Sequence, residues 1–384
     1  MTKQSVALIR VAHLHSTTGI YGAERWTATQ VQHLDKNIFS PLIITMGTKE
    51  GSALFHDFME QRGFQVSHLP IPGKINPKAI LALRRVLINQ KINILHTHGF
   101  KSDVMGYFAA RGLPIRLVAT PHGWSADEGI RIRFYEAVSR FFLRRFDRIY
   151  PLSAPLLEDF HRRGFARGQL HLILNAVDIS AFDRCFSSRK RRRLTDTFRI
   201  LFAGRLCRPK GAFELLEAMA RAHFYCPVEL RLVGDGPQRQ ELESYALALG
   251  IGSKIYFTGS VSQIIPHLQW ADVLVLPSHS EGIPRVIMEA FAAGVPVIGT
   301  AIPGIQELIQ DDSTGRLTPI RNADALASVL GRAAVEPEQS WKMAIKARQV
   351  IMERFSAQRQ ALEFEREYAQ LATETIPCQP VSAS

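Results

Sequence analysis

The sequence predicts an α/β protein built from two doubly wound domains. Short apolar runs alternate with segments of helical periodicity through both halves of the 384-residue chain, and a polar stretch separates the halves. Hydrophobic residues make up 46% of the chain, which is enough for two sizeable cores. Alternation of this kind is typical of βαβ units, whose strands form a parallel sheet covered by helices.

The apolar runs give five candidate strands in each half. Those of the first half are Val6–His13, Leu42–Met46, Ile94–Thr97, Leu117–Thr120 and Arg148–Pro151, and those of the second are Phe198–Ala203, Glu229–Val233, Lys254–Thr258, Val273–Leu276 and Val295–Thr300. Helices are predicted between them, among others at Lys78–Asn89, Ser102–Ala110, Ala212–Arg221, Pro237–Leu249 and Arg285–Ala292. In such sheets ligands bind beyond the C-terminal strand ends, so the loops at those ends are the candidate site.

The domain limits follow from changes in pattern along the chain. Residues 1–186 are expected to form the first domain and residues 198–354 the second, joined by the polar, unpatterned linker 187–197. A helix at 355–372 is expected to pack back towards the N-terminal domain. The tail 373–384 is expected to be disordered, as chain ends often are.

Charge is distributed unevenly between the halves. Residues 1–197 carry 29 Lys and Arg against 15 Asp and Glu, whereas residues 198–384 carry 18 against 20. The whole excess of positive charge therefore lies in the first half, which favours an anionic partner there. A basic surface that serves only solubility remains the alternative.

Cysteine content and hydropathy bear on the compartment. The four cysteines are widely spaced and form no Cys-x-x-Cys pair, so neither a disulfide scaffold nor a zinc ribbon is expected. The expected compartment is a reducing cytoplasm. No uncharged apolar run approaches the roughly 20 residues that span a bilayer. The N-terminal stretch resembles a strand more than a signal peptide, because Arg10 and His13 interrupt it.

A basic loop flanked by glycines, GRLCRPKG from Gly204 to Gly211, follows a predicted strand and precedes a helix. Glycine permits close approach to the backbone, while Arg205 supplies a planar fork and Lys210 a point charge suited to a diphosphate. A basic loop at a strand end with no ligand is the alternative. The next strand ends in the turn GDGP, with Gly234 and Gly236, which turn geometry alone could explain.

The densest signal is PSHSEGIPRVIMEA at 277–290. Glu281 lies in a loop after a strand, and Glu289 lies inside the helix that follows. Free N–H groups at the start of that helix suit a diphosphate, and carboxylates accept hydrogen bonds from sugar hydroxyls. Taken separately, each acid could instead be an ordinary capping residue or an ion-paired helix residue.

Together these stretches resemble the retaining nucleotide-sugar glycosyltransferases of family 4, the glycosyl transferases group 1 family. The two glutamates with seven residues between them, the loop GRL…KG, GDGP, AGVPVI at 293–298 and TGRL at 314–317 match that family in order and spacing. The resemblance implies the GT-B fold, with two Rossmann-like domains facing across a cleft, and it implies no cofactor. The sequence contains no Asp-x-Asp motif, which agrees with the metal-independent chemistry that the resemblance implies.

The first half resembles the family more loosely. The stretch GIYGAER at 19–25 is similar to the family's Gly-Gly loop, but Tyr21 replaces the first glycine, so only Gly22 is assigned a role. HTHG at 96–99 is similar to the family's His-x-His strand end, PHG at 121–123 to the segment with the active-site histidine, and NAVD at 175–178 to the stretch before the linker. For His96 and His98 a purely structural role is the alternative.

The resemblance also implies residue roles. Arg205 and Lys210 would bind the donor diphosphate, Glu289 the ribose and Glu281 the hydroxyls of the transferred sugar, with His122 at the reacting centre. The other residues implied in substrate binding are Gly22, Gly204, Gly234, Gly236, Gly282, Ile283 and Pro284. The implied reaction moves a hexose-type sugar, from a UDP-sugar by preference, to a lipid-linked or saccharide acceptor in cell-surface polysaccharide or glycolipid synthesis.

Two other functions remain open on sequence alone. A GT-B-type sugar-nucleotide epimerase would isomerise the sugar without releasing it to an acceptor. A nucleic-acid-binding protein would use the basic half and the run Arg189–Arg193, but only Phe186 and Phe198 lie near that run, whereas interleaved aromatic residues are typical of such surfaces. No nucleic-acid partner is therefore expected.

A further pattern concerns membranes. On a helical wheel, residues 130–149 place an apolar face opposite basic residues. The apolar positions are Phe134, Val138, Phe141, Phe142, Phe146 and Ile149, and the basic ones are Arg133, Arg140, Arg144 and Arg148. The segment could lie in an anionic membrane interface at the inner face of the membrane, or it could be a buried domain helix with solvated arginines.

Overall fold

A computed structural model describes residues 8–17, 19–20, 22–47, 49–70, 77–122 and 130–374. The chain divides into two compact units. The first joins the chain up to Leu174 with the chain from Ala357 onwards, and the second is Asn175–Ser356. The predicted α/β class with two doubly wound, Rossmann-like domains is confirmed, because each unit contains a parallel sheet of six strands with helices between them.

The first sheet has the strand order β3-β2-β1-β4-β5-β6. Its strands are β1 (Ile9–Ser16), β2 (Phe39–Gly47), β3 (Gln65–Pro70), β4 (Ile94–His98), β5 (Arg116–Ala119) and β6 (Arg148–Ile149). The helices between them are α1 (Gly22–Gln32), α2 (Lys49–Glu60), α3 (Pro77–Asn89), α4 (Phe100–Ala110), α5 (Ile130–Leu143) and α6 (Ala154–Arg162). All five residues of β4 are buried, as expected of a central strand covered on both faces.

The second sheet has the order β12-β11-β10-β7-β8-β9. Its strands are β7 (Phe198–Ala203), β8 (Val228–Val233), β9 (Ile255–Gly259), β10 (Val273–Leu276), β11 (Val297–Thr300) and β12 (Arg316–Thr318). Its helices are α7 (Asp183–Ser188), α8 (Ala212–Arg221), α9 (Arg239–Ala248), α10 (Ile265–Trp270), α11 (Arg285–Ala292), α12 (Pro303–Gln306), α13 (Ala323–Val335) and α14 (Pro337–Arg354). The central strands β7 and β10 are direct neighbours, so the loops that follow them lie side by side.

The last helix, α15 (Ala357–Thr373), belongs to the first unit. Its residues Ala361, Phe364, Tyr368 and Leu371 share one buried cluster with Val11 of β1, Ile94 of β4 and Val118 of β5. The helix therefore completes the apolar cover on one face of the first sheet. Of the tail expected to be disordered, residues 375–384 lie outside the described part of the chain.

The passage from the first unit to the second lies at Leu174 and Asn175, not in the predicted linker 187–197. The arginines of that stretch bind backbone carbonyls of the second unit. Arg189 donates hydrogen bonds to the carbonyls of Leu268, Ala271 and Ala293, and Arg192 donates to those of Asp196 and Ala334. The polar run lacks an apolar pattern because it is fixed by side-chain to backbone hydrogen bonds, which hydrophobic periodicity does not report.

The continuous amphipathic segment predicted at 130–149 is wrong beyond Leu143, where α5 ends. Phe146 and Ile149 are buried in the core of the first unit, and Ile149 belongs to β6. Arg148 also lies in β6, where its guanidinium pairs with Glu374 at 3.1 Å. A helical wheel cannot detect this change from helix to strand, because it assumes one period throughout.

Within the described residues, no helix combines the length and the apolar character needed to cross a bilayer.

Candidate active site

The basic loop of the second unit lies where the sequence predicts it, between the C-terminal end of β7 and the start of α8. Lys210 donates from Nζ to Glu281 Oε1 at 2.5 Å, and Ser278 Oγ donates to the same oxygen at 2.8 Å. The side chains of Glu281 and Lys210 are only 10% and 26% exposed. The structure thus joins two of the predicted site residues, an ammonium and a carboxylate, in one partly buried pair.

Arg205 differs from Lys210 in having no partner among the described residues. Its side chain is exposed and makes no hydrogen bond or ion pair with any residue that the structure describes. The guanidinium therefore keeps all five of its N–H donors for an external acceptor. Beside the Lys210–Glu281 pair, Arg205 is therefore a cation of this loop that is open to an anionic ligand.

Glycines are required here by close backbone contacts. Gly211 has φ +70°, and a Cβ at that position would lie 2.0 Å from the carbonyl oxygen of Pro277. In the GDGP turn, a Cβ on Gly234 would lie 1.9 Å from Gly204 O, and one on Gly236 would lie 2.3 Å from Leu206 O. Gly234 and Gly236 therefore pack against the backbone of the basic loop and fix its shape. This contact gives both glycines a structural role.

Glu289 lies in the second turn of α11, as predicted. Its Oε1 accepts a hydrogen bond from Arg285 Nε, one turn earlier, at 2.9 Å. Pro284 is the N-cap of this helix, and no described side chain caps its first turn. The start of α11, next to Gly282 and Ile283, therefore has no side-chain cap that would compete with a ligand for its amide groups.

The loop that carries Glu281 is held from two directions by residues to which the sequence assigned no role. A Cβ on Gly304 would lie 1.6 Å from Gly282 O, so the start of α12 packs directly against this loop. Asn175 Nδ2 donates to Ile283 O at 3.3 Å. Asn175 belongs to the NAVD stretch, which the sequence identified as a resemblance without assigning it a role.

His279 was also missed. Its Nε2 lies 2.8 Å from Glu214 Oε1 of α8, and its backbone N–H donates to the carbonyl of Pro209 at 2.8 Å. These two contacts tie the Glu281 loop to the basic loop. The sequence places His279 between a buried strand and Glu281. That position is equally compatible with a residue that holds the loop in place and with a catalytic residue.

In the first unit, four histidines gather at the C-terminal ends of β1 and β4. His13, His15, His96 and His98 are all buried, and His98 stacks on His15 with ring centroids 4.3 Å apart. Burial lowers the pKa of His13 to about 3, and it lowers the pKa values of the other three well below their usual range. Desolvation is the main cause, and mutual repulsion between the charged rings adds to it for His15, His96 and His98. These rings are neutral at pH 7.

His122 lies just beyond β5 and is joined to this group. Its Nε2 is 3.3 Å from His98 Nδ1, and Trp26 packs edge-on against its ring at 5.2 Å between centroids. The residue is exposed, yet the surrounding protein atoms desolvate its ring and lower its pKa to about 4. With its pKa lowered in this way, the His122 ring is neutral at pH 7.

His13, His96 and His98 also bring nitrogens within 4.8 Å of one another, a spacing that a metal ion could use. The hydrogen bonds favour another interpretation. Both nitrogens of His96 have hydroxyl partners, Tyr368 at 2.6 Å and Thr120 at 2.7 Å. The rings of His96 and His98 are stacked at 29°, so their in-plane lone pairs do not converge on one point. The arrangement is that of a hydrogen-bonded histidine cluster.

Gly22 is the first residue of α1, at the same edge of the first sheet. A Cβ there would meet nothing within 4 Å, so no contact among the described residues requires glycine at this position. Tyr21, which precedes it, lies outside the described residues, as do residues 123–129, which include Gly123 of the PHG segment.

Two family models match the chain. The model for Glycosyl transferases group 1 matches residues 183–350, and the model for Glycosyltransferase Family 4 matches residues 20–181. The chain belongs to the family 4, group 1 glycosyltransferases. This glycosyltransferase is therefore an enzyme of sugar transfer, and its second unit carries the group 1 motifs on the loops described above.

Relatives of this glycosyltransferase act on diverse substrates. It is 24% identical over 296 residues to the N-acetyl-alpha-D-glucosaminyl L-malate synthase of Bacillus anthracis, covering 74% of this chain and 77% of the relative. It is 25% identical over 349 residues to the Escherichia coli UDP-Gal:alpha-D-GlcNAc-diphosphoundecaprenol alpha-1,3-galactosyltransferase, covering 86% and 89%. The crystal structure of Anabaena HepE in complex with UDP and glucose matches with a TM-score of 0.81 at 19% identity, covering 94% of this chain and all of that one.

Proposed function

We propose that this glycosyltransferase moves a hexose-type sugar from a UDP-sugar to a lipid-linked or saccharide acceptor, with retention of anomeric configuration. The observation that carries the proposal is the Lys210–Glu281 pair at 2.5 Å, in the same loop as Arg205, which has no partner in the part of the chain that the structure describes. Positive groups for a diphosphate and a carboxylate for a sugar hydroxyl then share one edge of the second sheet. The UDP and glucose named with HepE, and the UDP-Gal named for the Escherichia coli relative, support the donor class.

The basic loop would act on the leaving group. Glycosyl transfer passes through an oxocarbenium-like transition state while negative charge grows on the departing diphosphate. Arg205, Lys210 and the uncapped start of α11 supply fixed positive charge and N–H donors for that growing charge, which is usually the largest catalytic contribution.

The two glutamates would hold different parts of the donor. Glu281 Oε1 is occupied by Lys210 and Ser278, while its Oε2 has no partner among the described residues and can accept from a hydroxyl of the transferred sugar. Glu289, one helix turn beyond Arg285, would accept from the ribose hydroxyls. The acceptor hydroxyl would attack from the face that the diphosphate leaves, and its proton would pass to an oxygen of the leaving phosphate. In the first unit, His122 would lie at the reacting centre.

A donor screen tests the proposal. Purified enzyme is given UDP-, GDP- and ADP-hexoses with lipid-linked and saccharide acceptors of bacterial type, and released nucleotide and glycosylated product are both measured. We expect release of UDP with transfer of the sugar, and equal rates with and without EDTA because Arg205 and Lys210 provide the cationic charge. An isomerised sugar nucleotide with no transfer would instead establish an epimerase.

We also propose a peripheral contact with an anionic membrane at the inner face of the membrane, in the cytoplasm. Phe146 belongs to the core and Arg148 to β6. The contact is therefore assigned to the exposed aromatic residues of α4 and α5 and to the exposed Arg144 and Arg145, which follow α5. Phe141 is 53% exposed and Phe108 39% exposed, and the Arg145 guanidinium lies 4.0 Å from the Phe141 ring centre. Exposed aromatic rings among arginines suit the interface of an anionic bilayer.

Vesicle sedimentation tests this contact. We expect binding to anionic vesicles, little binding to zwitterionic ones, and release by salt, because each Lys or Arg near an anionic surface contributes about 1 kcal/mol and salt screens the attraction. Phe141→Ser combined with Arg145→Gln should weaken binding several-fold. Leu247→Ser, which alters an exposed apolar residue of the second unit, is the control and should bind normally. Undiminished binding of the double variant would exclude this surface as the contact.

A further inference from the structure

Three histidines of the first unit form one hydrogen-bonded chain from the core to an exposed ring. His13 Nδ1 lies 3.1 Å from His98 Nε2, and His98 Nδ1 lies 3.3 Å from His122 Nε2. A neutral imidazole has one N–H donor and one bare acceptor nitrogen. A ring that accepts on one side must therefore donate on the other, and only two proton arrangements satisfy both hydrogen bonds.

The buried end of the chain distinguishes these arrangements. His13 Nε2 is buried and has no hydrogen-bond partner within the described residues. If His13 donates from Nδ1, this nitrogen is bare; if His13 accepts at Nδ1, it carries an N–H with no acceptor. Buried N–H groups without an acceptor are rarer in native proteins than acceptors without a donor. The arrangement in which His13 donates is therefore favoured.

We infer that His13 and His98 fix His122 as the tautomer protonated on Nδ1, so that its ring offers a hydrogen-bond donor to the substrate. His13 Nδ1–H donates to His98 Nε2, and His98 Nδ1–H donates to His122 Nε2. The proton of His122 is then confined to Nδ1, which has no partner among the residues that the structure describes. His13 and His98 act as positioning residues.

The neighbouring side chains oppose other pairings of these rings. His15 Nε2 is bound to Thr27 Oγ1 at 2.9 Å, and its ring stacks on His98 within 10° of parallel. Both nitrogens of His96 are already hydrogen bonded. Trp26 holds the His122 ring from the side. Reversal of the chain would leave the buried His13 with an unmatched N–H, since no described group near Nε2 accepts it.

The chemical consequence depends on the proposed function, whereas the tautomer does not. A neutral His122 protonated on Nδ1 and bonded through Nε2 has no free lone pair, so it cannot remove the proton of an acceptor hydroxyl. It can donate to an oxygen of the substrate, either a sugar hydroxyl or a phosphate oxygen. This role agrees with transfer of the acceptor proton to the leaving phosphate.

Nitrogen NMR of the full-length protein, labelled with ¹⁵N at its histidine rings, tests the tautomer directly. Protonated and bare imidazole nitrogens have well-separated shifts, and the His122 signals are assigned by their loss in His122→Gln. We expect a protonated Nδ1 and a bare Nε2 at pH 7.5. The opposite tautomer, which free histidine prefers in water, or an averaged mixture of the two would overturn the inference.

Variants at position 98 test whether the chain sets the tautomer. His98→Leu removes the donor to His122, so the His122 signals should move towards the Nε2-protonated form and kcat should fall about tenfold, the effect of losing one hydrogen bond. His98→Asn places an amide N–H near the original Nδ1 and should retain the wild-type signals and most of the rate. His161→Leu, at an exposed histidine of α6, should change neither. Wild-type His122 signals in a folded His98→Leu variant would refute the positioning role.

The two readouts separate the inference from the proposed function. If the Nδ1–H tautomer is found and no donor gives transfer, the proposed reaction is wrong and the tautomer stands. If transfer is found and His122 is protonated on Nε2, the reaction stands and the inference fails. Should His98→Leu fail to fold, the wild-type spectrum and the His98→Asn spectrum still decide the question.

Discussion

Replacing Arg205 by Ala is expected to lower kcat about a hundredfold, the usual cost of removing one preorganised group that stabilises transition-state charge. Arg205 has no protein partner among the described residues, so its loss leaves no buried group unpaired and should not change the melting temperature. Lys210→Ala should lower kcat at least as much, because it also releases Glu281 from its 2.5 Å contact. Steady-state kinetics with a saturating UDP-sugar measure both effects.

A matched control lies in the same loop. Arg208 is exposed like Arg205 and makes no side-chain contact with a described residue, but the resemblance assigns it no role. Arg208→Ala should keep kcat within a few-fold of the wild type. Equal losses in the Arg205 and Arg208 variants would indicate a general effect of loop charge and would remove the specific assignment of Arg205. Near-normal rates for both Arg205→Ala and Lys210→Ala would remove the diphosphate assignment altogether.

The two glutamates are expected to respond differently to the same chemical change. Glu281→Gln should lower kcat about a hundredfold with little change in nucleotide affinity, because the amide still accepts from Lys210 but loses the charge near the sugar. Glu289→Gln should weaken binding of UDP about tenfold, because a charged acceptor for ribose hydroxyls becomes neutral. Calorimetric titration of UDP separates the two effects, since UDP contains the ribose and lacks the hexose.

The opposite pattern of effects would contradict the assignment of Glu281 to the transferred sugar and Glu289 to the ribose. If Glu281→Gln lost UDP binding while Glu289→Gln kept it, the acids would have exchanged roles. Glu241→Gln, in the exposed first turn of α9, controls for the loss of one negative charge from the second unit and should alter neither parameter. Thermal melting of all three variants should agree to within a few degrees, because none of these changes removes apolar packing.

The sequence predicted the central strands of the sheets better than the strands at their edges. Strands such as Phe198–Ala203 and Val273–Leu276 were predicted with the residues observed, because buried parallel strands are continuous apolar runs with clear ends. The strands at Gln65–Pro70 and Arg316–Thr318 were missed. Both lie at a sheet edge, and the first is largely half-exposed while the second begins with a buried arginine, so neither contains an apolar run.

The positions of the candidate site residues in loops and helices were predictable where order along the chain defines them. Glu281, Glu289, Arg205 and Lys210 were identified by motif spacing, and the structure joins Lys210 to Glu281 directly. Contacts between distant residues were not predictable. The hydrogen bond from Asn175 to the Ile283 carbonyl and the close approach of Gly304 to Gly282 depend on the path of the backbone in three dimensions.

The histidine chain shows the same limit. His96 and His98 were visible as a pair, but His13 belongs to another strand and is separated from His98 by 85 residues. Parallel pairing of β1 with β4 places these strands in register, His13 opposite His96. Sequence alone could not distinguish a structural histidine from a positioning one, because the difference lies in which nitrogen meets which neighbour.

The return of α15 to the first unit affects the order in which the chain can fold during synthesis. The second unit is continuous from Asn175 to Ser356, so all of its strands have left the ribosome before α15 is made. The first unit is discontinuous, and until Phe364 and Tyr368 emerge, Trp26 and Ile94 lack part of their apolar cover and His96 lacks its hydroxyl partner. The second unit can therefore fold cotranslationally, whereas the first completes its core only after residues 357–373 have been made. A ribosome that stops before residue 357 releases a chain with a complete second unit and a first unit whose core is incomplete, a substrate for quality-control proteases.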